Sequence, residues 1–185
     1  MLLDGSVNLR KISNINEKEK ALVEAFSCGK DSIDKYLKDD ALEDLLYGIT
    51  KTYLVFVTPE NEDTFLLGYF SLTADRVLIT KKSKIQNLLV NWKNPVHRKS
   101  IPGVQIHHFA VNKQYQKRHF GQEMMYYAIL FIKTAILSNL GACLITVQSE
   151  PDVRGFYESL GFCHTGQTRD INVSMAIPTN EFFIE

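Results

Sequence analysis

Residues 112–124 read NKQYQKRHFGQEM. They close a stretch in which apolar side chains alternate and open a run with helical spacing, so the backbone there leaves a strand and enters a helix. The first N–H groups of a helix lack intrahelical partners and sit at the positive end of its dipole, which makes such a junction a seat for an anion, a phosphate above all. A tight cradle of this kind prefers glycine at its bend; here the bend carries His119, with Lys117 and Arg118 beside it. Histidine is among the few non-glycine residues enriched in the left-handed region, so the turn is uncommon rather than forbidden.

A second group with chemical potential is Tyr157, in FYESLGF (156–162). A phenol with an ordinary pKa of about 10 can hand a proton to a leaving group. A tyrosine at this spacing can equally pack its ring in the core and satisfy its hydroxyl locally, and spacing alone leaves both readings open. Gln148, Ser149, Glu150 and Asp152 gather at the end of an apolar stretch just before it. An amide and a hydroxyl are poor bases, and carboxylates there can instead cap the next helix, so no general base is identified. His107 and His108 are neighbours on a strand, where successive side chains take opposite faces; one is expected in the core and one toward solvent, with no shared metal.

The elements that must position these groups follow from periodicity. SVNLRKI reads as a strand and NEKEKALVEAF as a helix with Asn16 as its N-cap. After a turn at SCGKDS, the positions Ile33, Leu37, Ala41, Leu42, Leu45 and Leu46 form one apolar face of a second helix that stops near Gly48. KTYLVFV and TFLLGYFSLTADRVLI, split by TPENED, predict an antiparallel hairpin. Residues 81–102 show no sustained period and read as a long loop. Beyond it come the strand GVQIHHFAV and a helix with a buried stripe at Met124, Met125, Ala128, Ile129, Ile132, Ala135 and Ile136. The strand ACLITVQ, the short helix DVRGFYESL stopped at Gly161 and the strand INVSMAI complete the chain. A meander followed by strand–helix–strand–helix–strand predicts an α/β fold with a central mixed sheet, antiparallel in its N-terminal part, flanked by helices and with a right-handed crossover over residues 103–148.

The 185 residues, 45% hydrophobic and 23% charged, suit a single globular domain over 1–185. No run is long and apolar enough for a membrane span or a secretory leader, so no membrane is expected and the location reads as cytoplasmic. Cys28, Cys143 and Cys163 form no CxxC pair, which points away from a disulfide framework or a zinc site. The formal net charge of zero is unevenly spread. Residues 76–122 hold ten Lys or Arg and no acid, whereas residues 1–75 hold 8 basic and 14 acidic side chains and residues 123–185 hold 3 and 7, giving +10 against −6 and −4. A basic middle of this kind is either a solvated face or the seat of an anionic ligand or partner.

In this order of elements, FAVNKQYQKRHFGQEMM on the central strand–helix unit and FYESLGF further on resemble the GNAT acyltransferase superfamily. FSCGKDSIDKYL (26–37) further looks like the F-x-C-G-x-x-x-(apolar)-D-x-(aromatic)-L opening of the subgroup that serves as the toxin in bacterial toxin–antitoxin pairs. The three stretches together span nearly the whole chain. The superfamily's cradle is (Gln or Arg)-x-x-Gly-x-(Gly or Ala): Gln116 and Gly121 match it, and His119 departs. The resemblance implies a GNAT fold and acetyl-coenzyme A as co-substrate, with no metal. Acetyl-coenzyme A would be held along Phe109, Ala110 and Val111 and by Gln116, Lys117, Arg118, His119, Phe120, Gly121 and Gln122.

It further implies Tyr157 as the acid that protonates the departing thiolate, and transfer of the acetyl group to a primary amine. The toxin-like subgroup implies the α-amino group of an aminoacyl-tRNA as that amine, and the basic stretch fits a phosphate-rich partner, with Lys81, Lys82, Lys84, Arg98, Lys99 and Glu150 as candidate substrate or RNA contacts. A small ribbon-helix-helix antitoxin and a homodimer are the implied protein partners. A small-metabolite or protein amine is the alternative acceptor, and a GNAT-like module that binds without catalysis is the alternative outside enzymes.

Overall fold

The computed structural model describes residues 5–79 and 99–179. Its strands are β1 (Ser6–Lys11), β2 (Lys51–Thr58), β3 (Phe65–Leu78), β4 (Ser100–Val111), β5 (Leu144–Ser149), β6 (Cys163–Arg169) and β7 (Asn172–Pro178). Its helices are α1 (Glu17–Glu24), α2 (Asp31–Lys35), α3 (Ala41–Tyr47), α4 (Phe120–Phe131) and α5 (Arg154–Ser159). The strands hydrogen-bond in the order β1-β2-β3-β4-β5-β7-β6. Pairs β1–β2, β2–β3, β5–β7 and β6–β7 are antiparallel and β4–β5 is parallel, which is the mixed sheet that the sequence predicts. β6 is the strand the sequence does not announce.

Local signals explain two of the helix ends. Asn16 accepts the Glu19 amide at 3.0 Å while Glu19 returns a bond to the Asn16 amide at 2.9 Å, a complete capping box at the start of α1. Gly48 closes α3 in the left-handed conformation, φ 72°, where a side chain would be strained. Between α2 and α3 the chain makes a π turn over Tyr36–Asp40. That turn rotates the helical residues after it, so Leu42 and Leu46, expected on the buried face, are 48% and 79% exposed, while Leu37 and Ala41 are buried. A second π turn over Ile132–Ile136 has the same effect on Ala135, which is exposed.

Two compact units divide these elements. The first comprises residues up to Thr73 together with His107–Ala128, and the second Ala74–Ile106 together with residues from Ile129 onward. In the first, Phe26, Leu37, Leu54, Phe56, Leu66 and Tyr69 form the centre of an apolar cluster. Gly68 lies within it: a Cβ there would strike the carbonyl of Ala110 and the sulfur of Met124, so only glycine lets the end of β4 come this close to β3. In the second unit the apolar cluster is Val77, Ile101, Leu144 and Ala176. Among the described residues, no helix is long and apolar enough to cross a membrane.

Candidate functional site

A β-bulge lies in β3, the strand beside the junction between β4 and α4. In the β2–β3 pair Val55 faces Gly68 and Phe56 faces Leu66, so Leu67 is the extra residue. A bulge leaves its extra residue without a partner on the neighbouring strand, and the Leu67 carbonyl accepts the Asn112 amide at 2.8 Å, just past the end of β4. Asn112 then accepts the Gln114 amide at 3.2 Å, turning the chain through Lys113–Tyr115. Tyr115 stacks on Phe65 with ring centroids 4.3 Å apart.

Past Gln116 the backbone does what a glycine loop would do without glycine. Lys117 lies at φ 59° and His119 at φ 64°, both left-handed. Each such non-glycine residue stores about 1 kcal/mol or more, which the surrounding contacts must offset. The backbone amide of Gln122 bonds the His119 carbonyl at 3.0 Å, and His119 Nδ1 lies 3.2 Å from the acceptor Gln122 Oε1. Phe120 is buried and anchors the helix start, with the Arg118 guanidinium 5.3 Å from its ring centroid. The amides of Phe120 and Gly121 belong to the first turn, where no intrahelical carbonyl is available. Lys117, Arg118 and His119 are exposed, so two fixed positive charges and a helix dipole converge on one open turn.

Gln116 does not offer its side chain to a ligand. Its Nε2 donates to the carbonyls of Cys28 at 2.8 Å and Val111 at 2.9 Å, clamping the turn between the end of β4 and the segment before α2. That segment is the FSCGKD stretch. Lys113 N–H donates to the Ser27 carbonyl at 2.9 Å, Gly29 turns left-handed at φ 88°, and the Cys28 amide donates to Asp34 Oδ1 at 2.7 Å. Burial opposes the charge on Asp34, but the bonds from Cys28 and Ser27 hold its carboxyl below the ordinary value. Burial and the Asp34 carboxylate push the Cys28 thiol up to about 11. Phe26, Cys28, Gly29, Asp34 and Leu37 are therefore one scaffold whose product is a fixed carbonyl for Gln116, a role that nothing local in the sequence discloses.

His107 and His108 do not diverge as their adjacency predicts. Their Nδ1 atoms lie 2.9 Å apart. Both residues lie within β4, which runs on to Val111, and the His108 amide bonds Ser71 Oγ at 3.1 Å. His108 is half-buried and stacks on Tyr36 at 3.6 Å between centroids; His107 is exposed. Burial first, and then the neighbouring His107, lowers the His108 pKa to about 4, so it is neutral at physiological pH. Phe109 is half-buried, and Ala110 and Val111 are buried at the strand end.

In the second unit Tyr157 is half-buried, its ring edge-on to Phe156 at 5.2 Å and Phe162 at 5.7 Å. Desolvation, aided by the charge of Glu150, pushes its pKa up to about 12, so the phenol keeps its proton throughout the physiological range. Glu150 occupies the N-cap position of the Pro151–Val153 turn without a side-chain cap bond, and α5 likewise has no side-chain cap. A polar cleft of about 40 Å³ is lined in part by Asp75, Thr146, Gln148, Thr165 and Ser174. The Thr146 hydroxyl reaches the Asp75 carboxylate across β4 at Gly103, where a Cβ would meet both residues at 3.5 and 3.7 Å. Lys99 is exposed. Lys81, Lys82, Lys84 and Arg98 lie outside the described residues. Among the described residues, no group of three or more His, Cys, Asp or Glu is placed to hold a metal ion.

The first unit thus offers an amide-lined basic turn, and the second a protonated phenol. Residues 96–178 match the family model described as an acetyltransferase (GNAT) domain. Among solved structures the chain is similar to one described as a bacterial toxin, at 19% identity and TM-score 0.75, covering 97% of this chain and 94% of that one. It is also similar to AtaT complexed with acetyl-methionyl-tRNAfMet, at 19% identity and TM-score 0.71, covering 96% and 98%. A third is a tyrosine-to-phenylalanine variant of AtaT bound to the C-terminus of the antitoxin AtaR and acetyl-CoA, at 18% identity and TM-score 0.69, covering 97% and 99%. At these identities the likeness is one of fold. No curated protein matches the chain.

Proposed function

We propose, on the premise that residues 96–178 belong to the GNAT acetyltransferase family, that this chain transfers the acetyl group of acetyl-coenzyme A to a primary amine, and that the amine is the α-amino group of an aminoacyl-tRNA. The observation that carries the reading is the pair of left-handed residues, Lys117 and His119, ahead of α4. They keep the cradle's backbone in the one place where the sequence departs from the family pattern, which weighs against a binding module that has lost its cofactor. Phe109, Ala110 and Val111 line the approach. The amides from Lys117 to Gly121 take the pyrophosphate, Lys117 and Arg118 add charge, and Gln116 holds the turn in place.

The amine nitrogen attacks the thioester carbonyl, forming the C–N bond as the C–S bond breaks; Tyr157 gives its proton to the departing thiolate, and the proton that the nitrogen sheds on becoming an amide passes to solvent, from which the phenol is restored. Acetylation of the α-amino group removes the nucleophile needed for peptide-bond formation, so the product blocks translation. Support for this acceptor comes from the fold shared with AtaT, whose structure contains acetyl-methionyl-tRNAfMet, and from the acid-free basic stretch 76–122, which includes Lys81, Lys82, Lys84, Arg98 and Lys99. The chain acts as one domain in the cytoplasm, as a homodimer, and is neutralised by an antitoxin of the ribbon-helix-helix type; the AtaR-bound relative supports the partner.

The test is incubation with acetyl-coenzyme A and a mixed pool of aminoacyl-tRNAs, followed by mass spectrometry of the released amino acids. N-acetyl-aminoacyl species are expected. Binding should weaken steeply with salt, and removing Lys81, Lys82 and Lys84 together should reduce that slope by about two to three units. Polyamines or peptides acetylated in place of the tRNA pool would overturn the acceptor. No binding of acetyl-coenzyme A would overturn the enzyme.

A further inference from the structure

The polar cleft of about 40 Å³ lies wholly within the second unit. Thr146 and Gln148 are two residues apart on β5 and share a face, and Gln148 stands directly opposite Ser174 on β7. β4 has no side chain at Gly103, so Asp75 on β3 reaches across it to Thr146. Val77 and Met175, both buried, add apolar parts to the same wall.

The hydroxyl protons along this wall are already committed. Thr146 donates to Asp75 Oδ2, and Ser174 donates to Gln148 Oε1 at 2.8 Å. What these two buried hydroxyls still present is lone pairs. Asp75 accepts from Thr146 with one oxygen and from the Arg76 amide at 2.7 Å with the other, which leaves open about two of the four lone-pair sites of a carboxylate. The side chain is half-buried, and among the described residues no cation forms an ion pair with it. Arg76 borders the cleft too, but its side chain is exposed and its charge is weakened by water. A partly desolvated carboxylate beside lone pairs draws a positively charged hydrogen-bond donor.

We propose that this cleft binds a primary ammonium group carried on an unbranched methylene stem. An ammonium has three donors and no acceptor, and Asp75, Thr146 Oγ1 and Ser174 Oγ are three acceptors. Its fourth direction belongs to carbon, which the apolar wall of Val77 and Met175 suits. The volume admits about three water-sized groups, so the nitrogen and the first methylenes enter and the rest of the ligand stays outside. A quaternary ammonium has no N–H to give. A hard metal cation collects about six oxygen ligands or more, which this wall does not supply. The site is independent of the acetyltransferase reading, because its lining includes no residue of the cradle and not Tyr157.

The experiment is an NMR titration of the full chain at fixed ionic strength, without acetyl-coenzyme A, that follows the methyl signals of Thr146 and Met175. Butylammonium should shift both saturably, with a dissociation constant of about 1–10 mM. Nα-acetyl-lysine amide distinguishes the source: saturation by butylammonium alone assigns the cleft to free amines, and saturation by both extends it to lysine side chains. Tetramethylammonium and potassium should produce no saturable shift. Asp75→Asn keeps the size of the side chain and an acceptor for Thr146, and should weaken butylammonium about tenfold or more. Ser174→Ala removes one acceptor and should weaken it severalfold, which keeps the test open if the first variant does not fold.

No saturable shift with butylammonium overturns the proposal, as does an equal response to tetramethylammonium or potassium. Undiminished binding in folded Asp75→Asn or in Ser174→Ala overturns it too. None of these results touches the acetyltransferase reading, and a protein that binds no acetyl-coenzyme A leaves the ammonium site standing.

Discussion

Gln116 Nε2 donates to the Cys28 carbonyl at 2.8 Å and to the Val111 carbonyl at 2.9 Å, so one amide holds together a loop, a strand end and the turn that precedes α4. The family pattern has Gln or Arg at this position, and the physical reason here is that the residue must supply two directed N–H groups from one side chain. Gln116→Ala removes both. A pair of neutral bonds contributes about 1–3 kcal/mol net, so the melting temperature should fall by several degrees, and the affinity for acetyl-coenzyme A should fall with the loosened turn. Scanning calorimetry with and without cofactor checks both; an unchanged affinity would mean that the turn holds its shape unaided.

His119 already occupies the conformation for which glycine is preferred. His119→Gly should therefore change the dissociation constant of acetyl-coenzyme A by less than about threefold. His119→Val, β-branched and ill suited to positive φ, should weaken it about tenfold or more, since about 1–2 kcal/mol of strain then falls on the bound state. Isothermal titration of the two variants separates backbone strain from loss of the imidazole.

Tyr157→Phe keeps the edge-on contacts with Phe156 and Phe162. Fold stability and cofactor affinity should be preserved while kcat drops about 10²- to 10⁴-fold. Because the phenol is raised to about 12, the wild-type rate should show no loss assignable to its ionisation below pH 10. Near-normal turnover of the variant would return Tyr157 to a packing role.

The three thiols should differ sharply in reactivity. Cys28 is raised to about 11 from an ordinary 9.0, so its thiolate fraction at pH 8 is about a hundredfold below that of an unperturbed thiol. Cys163 is exposed. Iodoacetamide at pH 8 should label Cys163 first and leave Cys28 essentially unmodified until the fold is opened with denaturant; peptide mapping by mass spectrometry reads the order.

Features with a local cause were legible. Asn16 and Glu19 stand three residues apart in the sequence and form the capping box, and Gly48 sits where its left-handed cap is needed. The turn from β4 into α4 past Lys117 and Arg118 was likewise legible, from a strand pattern giving way to helical spacing. What escaped depended on registers that hydropathy does not encode. β6 reads CHTGQTR, with too few apolar residues to alternate. The two π turns shift the helical phase by one residue, which misassigned Leu42, Leu46 and Ala135. The contact between the His107 and His108 rings occurs inside β4, where the alternation of a strand predicts divergence, and no residue type announces it.

The bond from Gln116 to Cys28 joins residues 88 positions apart. Contacts of such separation close only after the entropy of the intervening loop has been overcome, and they are among the later and slower ones to form. During synthesis the cradle has no counterpart in the emerging chain until residue 116 has left the ribosome, by which time most of the first unit's core residues have long been available to pack. The acceptor turn is therefore a late product of folding, and a nascent or prematurely terminated chain that stops short of Gln116 carries the scaffold without the site.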